Sequence, residues 1–171
     1  MAIIFKGFRE SMLRLGPLLL LIYICISEFH TQFYYWDIFS FNLQFIIIYY
    51  WILRDPDILG YGFIFLCGLI NDVVLSIPLG TSALSYLFVS LVAAYVRNAT
   101  VRTSLFTDWF TFIIAILTGN FLYFFLMNKF ANVDMEYSSL FYNSLFTFIL
   151  YPVFWGIFEL YKQFSFARRN D

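Results

Sequence analysis

The sequence is poor in charged residues: only 12% of its 171 residues are Asp, Glu, Lys or Arg, whereas 62% are hydrophobic. Soluble domains average about 25% charged and about 45–50% apolar residues. So few charges do not cover a soluble surface, and the composition therefore predicts a protein whose solvent is the lipid bilayer. The net charge of -1 leaves no basic footprint, which predicts that nucleic acid is not a partner.

Cysteine and histidine are also scarce. Cys25 and Cys67 each lie inside an apolar run, so we expect free, buried thiols and no disulfide. The single histidine, His30, does not supply the paired ligands of an H-E-x-x-H metalloprotease. Asp72 has no second deep carboxylate with which to share a proton, as aspartyl chemistry requires. The sequence thus predicts no enzymatic activity, no metal site and no cofactor.

Long apolar runs dominate the sequence. A membrane-spanning helix needs roughly 20 apolar residues, and six runs approach that length. We therefore predict an all-α integral membrane protein with one transmembrane domain over residues 1–171. Its predicted spans are residues 12–29, 38–53, 58–75, 79–96, 109–127 and 140–160. Four of the separators carry charges, whereas "SIP" before Leu79 does not, and Pro78 with Gly80 predicts a turn there.

The positions of the basic residues predict the orientation of these spans. Cytoplasmic loops carry an excess of Lys and Arg, and an inner N-terminus leaves only Lys129 on the outer side. The basic residues on the inner side are then Lys6, Arg9, Arg14, Arg54, Arg97, Arg102, Lys162, Arg168 and Arg169. We predict an N-in, C-in topology. Tyr49, Tyr50 and Trp51 are then expected near the inner membrane interface, where aromatic residues concentrate.

Asn71 and Asp72 form a polar pair within the third run, and three interpretations of Asp72 are open. In the first, its carboxylate accepts hydrogen bonds from the first N–H groups of the next helix, which attract anions, and so locks the turn. In the second it bonds to another span or a partner, and in the third it forms an ion or proton site. Elsewhere, Asn120 beside Gly119 predicts an interhelical hydrogen bond, and Glu159 is expected to pair with Lys162.

Residues 50–86 carry an ordered set of motifs. These are Tyr50-Trp51, Gly62-Phe63, Gly68, Leu69, Asp72, Pro78-Leu79-Gly80, Ala83-Leu84 and Tyr86. In this order and spacing the chain resembles the bacterial rod shape-determining protein MreD family. The sequence departs from that pattern at Ser76 and Ile77, where the family commonly has a glycine before the proline. The resemblance, with Asn71 added as the polar neighbour of Asp72, marks a structural or partner-binding motif, which comprises Tyr50, Trp51, Gly68, Asn71, Asp72, Pro78, Leu79 and Gly80.

The resemblance implies a non-enzymatic scaffold of the cell-elongation complex, which directs rod shape and peptidoglycan synthesis from the bacterial inner membrane. It implies docking of the bitopic protein MreC and, through it, association with MreB, RodA and a class B penicillin-binding transpeptidase. It also implies a fold like that of the membrane-embedded substrate-binding (S) subunits of energy-coupling-factor transporters. A second hypothesis follows, namely a small-molecule-binding subunit of a vitamin-type transporter. That function requires Asn71, Asp72, Asn120 and Asn143 to converge on one cavity.

Overall fold

The computed structural model describes residues 15–27, 41–100, 104–131 and 137–166. Within these ranges the chain forms helices and no strand, which confirms the prediction of an all-α fold. The helices are α1 (Leu15–Ile26), α2 (Leu43–Arg54), α3 (Tyr61–Val74), α4 (Thr81–Ala99), α5 (Leu105–Ala131) and α6 (Tyr137–Phe166). His30, Arg102 and the basic residues before 15 and after 166 lie outside the described residues, as do both ends of the first predicted span.

Two of these helices are long and apolar enough to cross a membrane. They are α5, with a mean hydropathy of 2.0, and the segment Leu140–Gln163 of α6, with 1.4. The described part of α1, α2 and α3 are apolar but shorter. The second predicted span, residues 38–53, begins in residues that the structure does not describe, and its helix α2 has 12 residues. At 1.5 Å per residue it is about 18 Å long, which is shorter than the roughly 30 Å hydrocarbon core of a bilayer.

Helix α2 lies at the centre of the bundle. Every side chain from Phe45 to Leu53 is buried, which is typical of a core helix that is hydrophobic on all sides. Tyr49, Tyr50 and Trp51 are at most 3% exposed. Neighbouring helices therefore enclose these side chains, and their expected depth near the inner membrane interface stays a prediction.

Side chains from other helices satisfy both ends of α2. At its N-terminus, the Asn42 side chain accepts the Phe45 N–H at 3.3 Å, and the Asn42 N–H donates to the Thr147 hydroxyl of α6 at 2.8 Å. At its C-terminus, Arg97 of α4 donates to the Ile52 carbonyl at 3.2 Å. Buried helix ends need such partners, because their terminal N–H and C=O groups have none within the helix. These contacts fix the position of α2 among α4 and α6.

The five helices around α2 all turn large apolar side chains outward. On α5 they recur every three or four residues and so occupy one face of the helix. This face comprises Phe106, Phe110, Ile114, Leu117, Phe121 and Phe125, each at least 49% exposed. The outward face of a helix in a soluble protein is usually charged or polar, so these surfaces are suited to an apolar surrounding.

Candidate functional site

The connection between α3 and α4 begins with a tight helix end at Ser76. The Ile77 N–H donates to the Asp72 carbonyl at 3.0 Å, and the Ser76 N–H donates to the Val73 carbonyl at 3.2 Å. This pair of bonds is a Schellman motif, which places the residue after the C-cap in the left-handed region. Ser76 occupies that position with a φ of 53°. The sequence departs from the MreD pattern at Ser76, yet the structure forms a tight turn there.

The Asp72 carboxylate bonds to the N-terminus of α4. Its Oδ2 accepts the Gly80 N–H and its Oδ1 accepts the Ser82 N–H, each at 2.7 Å. The side chain of Asp72 is completely buried. Both oxygens thus satisfy N–H groups that the start of a helix leaves without intrahelical partners, at the end where the helix dipole favours an anion. The first of the three interpretations of Asp72 is confirmed as a contact.

Neighbouring residues strengthen the same turn. Asn71 donates from Nδ2 to the Ser82 hydroxyl at 3.0 Å, and the Thr81 hydroxyl donates to the Pro78 carbonyl at 2.7 Å. Gly80 adopts a φ of 99°, which is accessible to glycine without steric cost. Leu79, at the tip, is 71% exposed. Asn71, Asp72, Pro78, Leu79 and Gly80 therefore form one structural unit, which we call the α3–α4 turn (residues 71–82).

Gly68 brings α3 and α4 into close contact just before this turn. A Cβ atom on Gly68 would lie 2.3 Å from the Cα of Ala83 and 2.7 Å from its nitrogen. No side chain fits at that distance, so glycine is required for this helix crossing. Gly68 therefore belongs with the α3–α4 turn.

Tyr50 and Trp51, the other two motif residues, make their contacts elsewhere. The Tyr50 hydroxyl donates to Glu159 of α6 at 3.0 Å, and the Trp51 ring contacts Phe158 at 6.2 Å between centroids. Lys162 forms an ion pair with Asp55 at 2.5 Å. The predicted pair between Glu159 and Lys162 is therefore wrong, because each bonds to α2 or to the residue that follows it.

A buried ion pair, which was not predicted from the sequence, joins α2 to α5. Arg54, at the end of α2, donates to Asp108, in the first turn of α5, at 2.9 Å, and the Asp108 side chain is 1% exposed. The Trp155 indole of α6 approaches the same carboxylate oxygen at 3.4 Å, and the Arg54 guanidinium lies 5.7 Å from the Trp155 ring centroid. We interpreted these charges only as markers of span ends. The signal available in the sequence was an Asp in the first turn of an apolar helix, where the dipole favours an acid.

The polar residues of α5 form a separate contact. Asn120 donates from Nδ2 to the Ser144 hydroxyl of α6 at 2.6 Å, which confirms the predicted interhelical hydrogen bond. Asn71 and Asp72 bond to α4, so the structure does not link them with Asn120 in a shared site. In the described ranges, no group of three His, Cys, Asp or Glu side chains is placed to hold a metal ion. Cys25 and Cys67 are both free and buried, as expected.

In comparisons with known proteins, no family model, no curated protein and no solved structure matches this chain. Over the residues that the structure describes, the fold is all-helical, and two of its helices are long and apolar enough to cross a membrane. The resemblance carried by residues 50–86, and what it implies, stays a prediction.

Proposed function

We propose that this chain is a multi-pass protein of the bacterial inner membrane, with six membrane-embedded helices and both termini inside. The outward apolar faces of five helices support a lipid surrounding. Asp108 and Lys129 enclose an uncharged stretch of α5 and lie about 32 Å apart along its axis, close to the roughly 30 Å of a hydrocarbon core. Arg54 is the last residue of α2, and Arg97 and Lys162 contact Ile52 and Asp55 at the same end of that helix. That gathering of positive charge supports this end as the inner one.

Within that membrane the protein acts as a non-enzymatic scaffold. The observation that carries this proposal concerns the buried Asn, Asp, Ser and Thr side chains of the described residues. Each of them hydrogen-bonds within the chain. A binding subunit would instead direct some of these groups into a cavity shared by several helices. Their use in helix caps, in contacts between helices and in bonds to carbonyls of their own helix supports a role in holding a fixed shape.

The partner of this scaffold is a bitopic protein of the MreC type. Through it, the scaffold joins MreB, RodA and a class B penicillin-binding transpeptidase in cell elongation. This part of the proposal rests on the motif residues from Tyr50 to Tyr86. The exposed apolar helix faces suit the docking of a single membrane span, because TM helices associate through packing of such surfaces.

Photo-crosslinking from the outward faces tests the proposal. A benzophenone amino acid replaces Val73 on α3, Leu91 on α4 or Phe121 on α5, which are 66%, 58% and 70% exposed. Each variant is expressed in its bacterial host, and the crosslinked products are identified by mass spectrometry. We expect one face to give a stoichiometric product with an MreC-type single-span protein, while the other two faces crosslink lipid.

The same preparation discriminates the transporter hypothesis. A tightly held metabolite that copurifies with an ATPase module, with no single-span partner, would replace the scaffold by a small-molecule-binding subunit. Depletion of the protein gives a second readout: a scaffold of elongation predicts that rod-shaped cells become round. Cells that keep their shape and stop accumulating one vitamin would refute the scaffold.

A further inference from the structure

Helix α6 continues through Pro152, although proline cannot donate the hydrogen bond that an α-helix forms at this position. The N–H of residue 152 would otherwise donate to the carbonyl of Phe148, four residues earlier. Proline has no N–H, so this bond is missing from the helix. Membrane helices tolerate proline where a neighbouring helix satisfies the backbone group that it frees, because lipid offers no hydrogen-bond partner.

A side chain of α5 supplies a hydrogen-bond donor to this carbonyl. The indole N–H of Trp109 donates to the Phe148 carbonyl oxygen at 2.9 Å, which is the usual length of an N–H···O hydrogen bond. The rings of Trp109 and Phe148 also stack, with centroids 5.0 Å apart and an interplanar angle of 18°. This stacking holds the indole in the orientation that the hydrogen bond requires.

The direction of α6 after Pro152 determines whether its later residues reach the rest of the bundle. The pyrrolidine ring of a proline clashes with the carbonyl four residues earlier, and here Trp109 binds that same carbonyl. After Pro152, α6 makes three polar contacts with α2, α5 and the residue that follows α2. The three contacts are Trp155 with Asp108, Glu159 with Tyr50, and Lys162 with Asp55.

We infer that Trp109 is a positioning residue for α6. Its indole N–H replaces the backbone donor that Pro152 lacks, so that the helix continues past the proline in the direction that the three contacts need. A tryptophan near the end of a membrane span is commonly an anchor in the lipid interface, whereas Trp109 has a specific partner inside the protein. The inference depends on contacts within the chain and is independent of the partners proposed above.

A double-mutant cycle on the full chain tests this inference. Trp109→Phe keeps an aromatic ring beside Phe148 and removes the indole N–H, whereas Pro152→Ala adds a backbone N–H that reaches the same carbonyl. Each substitution is made alone and both are made together, and the equilibrium constant for folding is measured by reversible unfolding in mixed detergent micelles. Effects of ring size and of the helix propensity of alanine occur in both backgrounds, so they cancel in the cycle.

The two backgrounds should respond differently to the loss of the indole. With Pro152 in place, Trp109→Phe removes the donor to the Phe148 carbonyl, and we expect the equilibrium constant for folding to fall about tenfold. Together with Pro152→Ala, the new backbone N–H donates to that carbonyl. The effect of Trp109→Phe should then be about three to ten times smaller.

Trp51→Phe in the same two backgrounds is the matched control. The Trp51 ring also lies against α6, with its centroid 6.2 Å from that of Phe158. This substitution removes an indole N–H that does not bind the Phe148 carbonyl. Its effect on folding should therefore be equal with and without Pro152→Ala.

Two results would overturn the inference. One is an equal effect of Trp109→Phe in both backgrounds, because the indole N–H would then not replace the missing donor. The other is a difference between backgrounds that is as large for Trp51→Phe as for Trp109→Phe, because Pro152→Ala would then change the whole helix. A Trp109→Phe chain that folds only together with Pro152→Ala supports the inference, whereas one that folds in neither background counts as the first of these results.

Discussion

Replacement of Asp72 by leucine tests whether its carboxylate holds the α3–α4 turn. Its two oxygens accept the Gly80 and Ser82 N–H groups at 2.7 Å each, and the residue is 0% exposed. A hydrogen bond to a charged group contributes about 1.5–3 kcal/mol net to stability. The leucine variant therefore lacks a contribution of roughly 3–6 kcal/mol from the two bonds. Removal of a buried charge offsets part of that loss. We therefore expect the free energy of unfolding to fall by about 3 kcal/mol, the lower end of this range.

The asparagine variant separates charge from shape. From the sequence alone, Asp72→Asn is expected largely to preserve folding. The structure changes this expectation, because both carboxylate oxygens are in use and an amide has only one. Its NH₂ group would face one of the two N–H donors. Asp72→Asn should thus lose about one of the two bonds, roughly 1.5–3 kcal/mol, and be intermediate between wild type and leucine.

Reversible unfolding in mixed detergent micelles, followed by circular dichroism, measures these differences. The control is Asp57→Leu, since Asp57 is an exposed acid in the α2–α3 connection and surface changes usually stay within about 0.5 kcal/mol. Asp72→Leu unfolding at the same denaturant fraction as the Asp57 control would refute the role assigned to the carboxylate.

Three further substitutions are measured in the same assay. Gly68→Ala should lower the free energy of unfolding by about 1–3 kcal/mol, because its Cβ would lie 2.3 Å from the Cα of Ala83. Ser76→Gly should raise it by up to about 1 kcal/mol, since a left-handed conformation is costly for serine and free for glycine. Tyr151→Phe should leave it equal or higher by about 1 kcal/mol, because the buried hydroxyl has no hydrogen-bond partner in the described part of the chain.

Each of these predictions has its own contradicting result. Gly62, also in α3, has no atom within 4 Å of an added Cβ, so Gly62→Ala is the control for Gly68→Ala, and equal stability of the two would reject the close crossing. A loss of stability in Ser76→Gly would mean that the serine side chain contributes to the turn. A loss of more than about 1 kcal/mol in Tyr151→Phe would reveal a partner for the hydroxyl.

The position of polar residues within apolar runs was the most informative feature of the sequence. It gave a bond to the start of the next helix as one of three interpretations of Asp72, and it predicted an interhelical hydrogen bond at Asn120. The Asp72 contacts could be predicted from the sequence because they are local: the acceptor and its two donors are only eight and ten residues apart. The first turn of a helix lies close to the end of the preceding one whenever the turn between them is short. Proline and glycine in the turn then indicate its course.

The approximate ends of α5 were also predicted from the sequence. Asp108 and Lys129 lie in the first and last turns of α5, and its bounds, Leu105–Ala131, extend the predicted span 109–127 by four residues at each end. The helix continues beyond the apolar stretch because polar residues at its ends keep their backbone hydrogen bonds within the helix. Hydropathy therefore predicts the bounds of the apolar stretch, whereas helix propensity decides how far the helix extends beyond that stretch.

The sequence by itself therefore determined the helical class, the two helices long and apolar enough to cross a membrane and the α3–α4 turn, all of which depend on composition or on neighbours along the chain. Only the tertiary structure placed α2 at the centre, buried Tyr49 to Trp51, and joined Arg54 to Asp108 across 54 residues. The physical reason lies in the solvent. In water, a polar face marks the outside of a helix, whereas in lipid the outside is as apolar as the core. Hydrophobicity then does not distinguish a helix surrounded by protein from one surrounded by acyl chains, and only the packing does.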